Sequence, residues 1–138
     1  MTTQSNHPAR WPLYSGMLLL AFTWIMAIIL NFSQLTVIPI HFDWQGKVDG
    51  WGSPAYVWLL PAMATGTAIV LQALDFPLER PLLFLAVMFI FSLVSSMTII
   101  TALRPQMHIG SWLSPFLIIA VLGMLGETVW FVSQKGIK

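Results

Sequence analysis

Long apolar runs separated by short polar connections dominate this sequence. The runs cover residues 11–32, 54–74, 81–103 and 112–132. At a rise of 1.5 Å per residue, about 20 helical residues cross the roughly 30 Å hydrocarbon core of a bilayer. Each run reaches that length, so the pattern predicts an all-α membrane protein, a bundle of four transmembrane helices.

Prolines refine the expected helices. Pro54, Pro81 and Pro115 lie near the starts of their runs, where a helix has no use for the amide hydrogen that proline lacks. Pro61 lies inside the second run, so we expect it to kink that helix.

Composition agrees with a lipid environment. Hydrophobic residues make up 57% of the 138 residues and charged residues 8%, whereas a soluble domain carries about 25% charged residues. The chain is therefore interpreted as a single integral membrane domain over residues 1–138, with the lipid bilayer as its first partner. The net charge of +1 gives no basic patch for nucleic acid, and the absence of cysteine excludes disulfides and thiolate metal sites.

The distribution of basic residues predicts the orientation. Basic residues favour the cytoplasmic loops. An arrangement with both termini in the cytoplasm leaves only Lys47 and Arg104 outside, and it places four basic residues inside: Arg10, Arg80, Lys135 and Lys138.

The one long polar connection, residues 33–53, has a pattern of its own. Ile40, Phe42 and Trp44 alternate with polar residues, which is typical of a short strand with one apolar face. Gly46 and the Asp49-Gly50 pair supply turn chemistry. We therefore expect a structured, hairpin-like extracytoplasmic loop whose apolar face rests on the helix ends, while His41, Asp43 and Asp49 face water or one another.

The same loop carries a family resemblance. The segment Ile38-Pro39-Ile40-His41-Phe42, followed by Gly46, Asp49-Gly50 and Gly52-Ser53, resembles the signature loop of the membrane domain of unknown function 1648, which also forms the N-terminal part of the SdpI-type immunity proteins of bacteria. The resemblance implies a multi-pass protein of the bacterial cytoplasmic membrane. It brings no established catalytic residues. The loop residues expected to bind a partner are Pro39, His41, Asp43, Gly46, Asp49 and Gly50.

Two interpretations of the loop's polar side chains stay open. His41, Asp43 and Asp49, together with His108 from the third connection, form a set compatible with zinc or another divalent metal. Alternatively, His41 holds the loop together through a hydrogen bond to Asp49 or to backbone groups. No other cofactor is predicted.

Glu127 is the one acidic residue inside an apolar run. A carboxylate in the membrane is costly and is a functional hypothesis by default. Pairing with Thr128, Gln72 or Arg80 would satisfy it structurally, and a place on a proton pathway is the alternative.

These observations lead to three functional hypotheses. The first is a noncatalytic membrane protein that binds a peptide, a toxin or a partner membrane protein through its outer loop. The second is a metal-dependent membrane enzyme, and the third is a proton-coupled transport subunit that uses Glu127 and requires a homo-oligomer. Pairs of small residues at Ala62/Gly66, Ser92/Ser96 and Gly123/Gly126 are expected to pack the helices against one another.

Overall fold

The computed structural model describes residues 10–105 and 110–135. In chain order the elements are α1 (Trp11–Phe32), β1 (Ile38–Phe42), β2 (Val48–Gly52), a 3-10 helix (Pro54–Trp58), α2 (Leu59–Ala73), the short α3 (Phe76–Glu79), α4 (Pro81–Leu103) and α5 (Gly110–Lys135). Four helical segments of this part of the chain are long and apolar enough to cross a membrane. In sequence, these four segments correspond to the four apolar runs.

Two of the proline predictions are wrong. The second apolar run begins as a 3-10 helix, and α2 starts only at Leu59, so Pro61 lies in the first turn of α2 rather than in its interior. A proline there removes no intrahelical hydrogen bond, because the first amides of an α-helix have no partner within the helix. Pro115, in contrast, lies inside α5, which begins at Gly110. Pro81 begins α4, as expected.

The central contact of the fold joins α1 to α4. A Cβ atom placed on Gly16 would come within 2.1 Å of the Phe84 ring, and Phe84 is itself only 1% exposed. Further along the same contact, the Ser92 hydroxyl donates to the Leu19 carbonyl oxygen at 3.0 Å and lies 3.4 Å from the Thr23 hydroxyl. The two helices approach closely because the residues between them are small or carry a matched polar group.

Helix α2 attaches to α1 through an indole. The Nε1 of Trp24 donates a hydrogen bond to Thr65 Oγ1 at 3.0 Å, and the Trp24 ring lies 6.1 Å from that of Trp58. Trp24 therefore joins two helices, and it lies near the middle of α1 rather than at its end.

The predicted small-residue packing is only partly correct. Ser92 is buried between α1 and α4, as described above. Gly66, Gly123 and Gly126 have no side chain or distant backbone atom within 4 Å of a Cβ built on them. None of the apolar stretch of α5 is buried within the described residues. The bundle is therefore centred on α1 and α4.

The two strands rest on one end of this bundle. Ile38 of β1 belongs to a buried cluster with Leu30 near the end of α1, Val57 of the 3-10 helix, and Ile99 and Ala102 near the end of α4. Arg10 and Arg80 lie at the opposite ends of α1 and α4. The hairpin and these two basic residues thus occupy opposite ends of the bundle.

Candidate recognition hairpin

Strands β1 and β2 pair antiparallel over the polar connection. Ile38 pairs with Gly52, Pro39 with Trp51 and Phe42 with Val48, and the register shifts on both sides of His41. These irregularities interrupt the simple alternation of faces that a regular strand would have. Ile38 and Pro39 are the buried residues of β1, while Ile40 is exposed and Trp44 is 87% exposed. The expectation that Ile40 and Trp44 rest on the helix ends is therefore wrong.

Asp43 organises the turn between the strands. One of its carboxylate oxygens accepts hydrogen bonds from the backbone amides of Gln45 at 2.9 Å and Lys47 at 2.8 Å. The Asp43 amide donates to the Lys47 carbonyl oxygen, and the Gly46 amide donates to the Asp43 carbonyl oxygen. Gly46 adopts φ 75°, a conformation that glycine reaches without steric cost. The side chain of Asp43 is thus committed to holding the loop's shape.

His41 and Asp49 form a pair across the strands. Nδ1 of His41 contacts Oδ1 of Asp49, and both side chains are largely exposed. Gly50 lies opposite His41, where a Cβ atom would come within 2.9 Å of the His41 Cβ. Glycine at position 50 therefore allows the two strands to approach at the point where the pair forms.

The four candidate metal ligands do not come together in the described part of the chain. Asp43 is turned toward its own loop amides, which leaves the His41–Asp49 pair by itself. Among the residues that the structure describes, no three His, Cys, Asp or Glu side chains form a group able to hold a metal ion. His108, the fourth candidate, lies outside the described residues.

Glu127 has a structural environment that the sequence alone did not reveal. It interacts with the backbone amide of Leu83 in the first turn of α4, and the positive charge of Arg80 attracts it. No side chain of the N-cap residue itself caps α4, so a carboxylate from α5 supplies the acceptor that this helix start needs. Of the expected partners, Arg80 is near enough for its charge to act on Glu127, but its guanidinium lies over the Phe131 ring, 3.5 Å from the ring centroid. Thr128 is not a partner, because its hydroxyl donates to the Met124 carbonyl oxygen.

This environment predicts a stability effect at position 127. Replacing Glu127 with leucine should leave the Leu83 amide without its acceptor and should lower the free energy of unfolding in detergent micelles by about 1–2 kcal/mol. Glu127→Gln keeps an acceptor oxygen and should cost less than half as much. If both variants unfold like the unmodified protein, Glu127 does not cap α4.

The hairpin also presents aromatic side chains that the sequence analysis did not assign to the binding site. Trp51 of β2 is 47% exposed, and Tyr56 of the following 3-10 helix is exposed as well. Together with Trp44, they place three aromatic side chains on and beside the hairpin. For Trp44 and Trp51 the signal in the sequence was their position within the loop, whereas Tyr56 lies at the start of the second apolar run.

Comparison with known proteins supports the resemblance of this segment. Residues 18–65 match the family model described as Domain of unknown function (DUF1648). The match begins within α1, includes the whole hairpin and the 3-10 helix, and ends in the first half of α2. No curated protein and no solved structure matches the chain. The similarity thus covers the part of the molecule in which the candidate site lies.

Proposed function

We propose, with the DUF1648 match over residues 18–65 as the premise, that this chain is a noncatalytic protein of the bacterial cytoplasmic membrane that recognises a peptide or a partner membrane protein through its hairpin. In this proposal the four apolar helical segments cross the bilayer and both termini lie in the cytoplasm. The hairpin then stands on the outer side.

The placement of charge supports this orientation. Arg10 and Arg80 lie at the end of the bundle away from the hairpin. Basic residues are enriched on the cytoplasmic side of membrane proteins. The hairpin end carries two basic residues, Lys47 and Arg104 at the end of α4, whereas Lys135 at the end of α5 joins Arg10 and Arg80 at the other end, and this excess fits an outer hairpin.

One observation carries the functional proposal: the hairpin has one fixed face and one free aromatic face. Ile38 is 2% exposed and holds the hairpin on the helices, whereas Trp44 is 87% exposed. Exposed indoles on a preorganised backbone are typical anchors of protein recognition, since little freedom is lost when a partner covers them.

The free strand edge favours a peptide as the ligand. Within the described residues the sheet has only two strands, and β1 carries the hairpin's packing against α4 and the 3-10 helix. The outer edge of β2 can therefore accept a third strand. An extended peptide that adds to such an edge gains main-chain hydrogen bonds, while neighbouring side chains such as Trp51 select its sequence.

Site-specific photocrosslinking in bacterial cells tests the proposal. A photoreactive phenylalanine analogue at position 44 should give a discrete protein adduct, whereas the same analogue at Trp130, an exposed residue of α5, should label lipid only. Adding His41→Ala to the position-44 variant should lower the yield of the protein adduct at least threefold, because it removes an expected partner-binding residue that also pairs with Asp49. Unfolding would not explain such a loss, since an exposed pair of this kind adds little to stability. Lipid adducts alone at position 44, or equal protein adducts at positions 44 and 130, would contradict recognition by the hairpin.

A further inference from the structure

A cavity of about 450 Å³ lies between the hairpin and the helices, and the exposed side chains of Trp44 and Tyr56 are among the residues that line it. Residues of β1 and the turn line it at one end. Its walls come from the surrounding helices, with Ala27, Leu60, Ile99 and Ile118 among the apolar residues that line it. The volume falls within the roughly 300–1,000 Å³ that is usual for small-molecule sites.

One polar atom in this wall lacks a partner. Ser95 lines the cavity and is 4% exposed, and its hydroxyl makes no hydrogen bond to any residue that the structure describes. The neighbouring serines of α4 differ, since the hydroxyl of Ser92 lies within hydrogen-bond distance of the Leu19 and Met88 carbonyl oxygens and that of Ser96 donates to the Ser92 carbonyl oxygen. An unpaired buried hydroxyl is unfavourable, so the exception at Ser95 points to a group that meets it inside the cavity.

The charges around the cavity indicate a neutral ligand. Among the described residues that line the cavity, the ionisable side chains of histidine, lysine, arginine, aspartate and glutamate type are His41 and Asp43. Each already has a partner in the hairpin: His41 contacts Asp49, and Asp43 accepts from the amides of the turn. A charged ligand would lose its hydration here without gaining a free counter-ion.

Size and depth indicate an elongated molecule. A dry cavity of roughly 150 Å³ holds one benzene, so a cavity three times larger holds about 18 non-hydrogen atoms. Ser95 lies eight residues before the end of α4, which corresponds to about 12 Å along the helix from the hairpin end. The ligand must reach this depth through mainly apolar surroundings.

We propose that this cavity binds one neutral, chain-like molecule that carries a carbonyl group near one end, and that the Ser95 hydroxyl donates a hydrogen bond to that carbonyl oxygen. A carbonyl fits better than an alcohol, because it brings an acceptor and no additional donor in need of a partner. The cavity shares Trp44 and Tyr56 with the aromatic side chains of the hairpin, but Ser95 lies in α4 outside the proposed recognition surface, so the ligand contact at Ser95 can be tested separately from partner binding.

A pair of matched probes tests the proposal on the full-length protein in detergent micelles. The first is 2-tridecanone, and the second is tridecane, which lacks the carbonyl. Affinity is taken from the rise in Tm as each probe is added, since a ligand of the folded state stabilises it. We expect Ser95→Ala to weaken binding of the ketone by three- to tenfold and to change binding of the alkane by less than twofold.

Two control variants complete the experiment. Ser96→Ala removes a hydroxyl that already has a partner, and it should leave both affinities unchanged. Leu117→Trp fills the cavity from α5, and it should abolish saturable binding of both probes. The proposal is overturned if the unmodified protein shows no saturable binding of the ketone, or if Ser95→Ala binds it as tightly as the unmodified protein does.

Discussion

Replacing Gly16 with valine is expected to destabilise the bundle more than any other single substitution considered for this protein. A Cβ atom at this position would lie 2.1 Å from one atom of the Phe84 ring and 2.7 Å from a second. Phe84 is buried with Met88 and Ala68, so its ring has little room to move. Forcing extra atoms into a close-packed contact costs about 1–3 kcal/mol, and we expect the upper part of that range in the free energy of unfolding.

Two variants separate this clash from a general effect of adding a side chain. Gly66→Val places the same side chain on α2, where nothing lies within 4 Å of the added Cβ, and it should change stability by less than about 1 kcal/mol. Combining Gly16→Ala with Phe84→Leu should cost less than the sum of the two single changes, because the smaller side chain makes room for the new methyl group. Equal losses for Gly16→Val and Gly66→Val would show that α1 and α4 do not meet at Gly16.

The second large effect is expected at Asp43. Its carboxylate accepts from the amides of Gln45 and Lys47. A hydrogen bond to a charged group contributes about 1.5–3 kcal/mol net, and we expect the two together to lie within that range because both are exposed to water. We expect Asp43→Ala to destabilise the hairpin locally by about 2 kcal/mol, which corresponds to a roughly 30-fold larger equilibrium constant for opening. Hydrogen exchange of the amides of Phe42 and Val48 measures this directly.

The effect should depend on the acceptor oxygen and stay local. Asp43→Asn keeps one acceptor and should accelerate exchange by less than fivefold. His41→Ala removes an exposed pair, for which a contribution of about 0–1 kcal/mol is usual. Exchange within α4 should remain unchanged in all three variants. Similar exchange in Asp43→Ala and the unmodified protein would mean that the carboxylate does not hold the turn.

The positions of the helices could be predicted from sequence because a membrane-crossing helix needs an apolar residue at nearly every position. The detail at their ends could not. Pro61 looked like an interior proline only because the run appeared continuous, whereas its first five residues form a 3-10 helix and α2 begins two residues before the proline. Apolar runs contain no signal for that change of helix type.

The faces on which the helices meet were harder to predict. Gly16 lies in a run of similar apolar residues, and the obvious small-residue pairs at Gly66 and Gly123 remain open to their surroundings. A weaker signal was present in α1, where Gly16, Thr23 and Ala27 lie on one face at spacings of seven and four residues. In a helix that is apolar all round, small and hydroxyl-bearing residues indicate the packed face better than hydrophobicity does.

The candidate site was located by sequence, but its internal geometry was not. Period-2 alternation placed Trp44 on a packed face, and the register shifts around His41 remove that alternation. His41 and Asp49 contact each other, as one of the two interpretations of the loop expected. Asp43 instead accepts from the backbone amides of the turn, because Gly46, three residues further on, reverses the chain. Similarly, the acceptor role of Glu127 depends on α4 beginning beside it, which a single run cannot show.

Cysteine accessibility in intact bacterial cells tests most directly whether the hairpin faces outward. The natural chain contains no cysteine, so Gln45→Cys in the hairpin turn and Glu79→Cys between α2 and α4 each provide a single reactive thiol. We predict that a membrane-impermeant maleimide labels Gln45→Cys in intact cells and labels Glu79→Cys only after the cells are permeabilised. Labelling of Glu79→Cys in intact cells, with Gln45→Cys protected until permeabilisation, would contradict the outward-facing hairpin and the recognition function built on it.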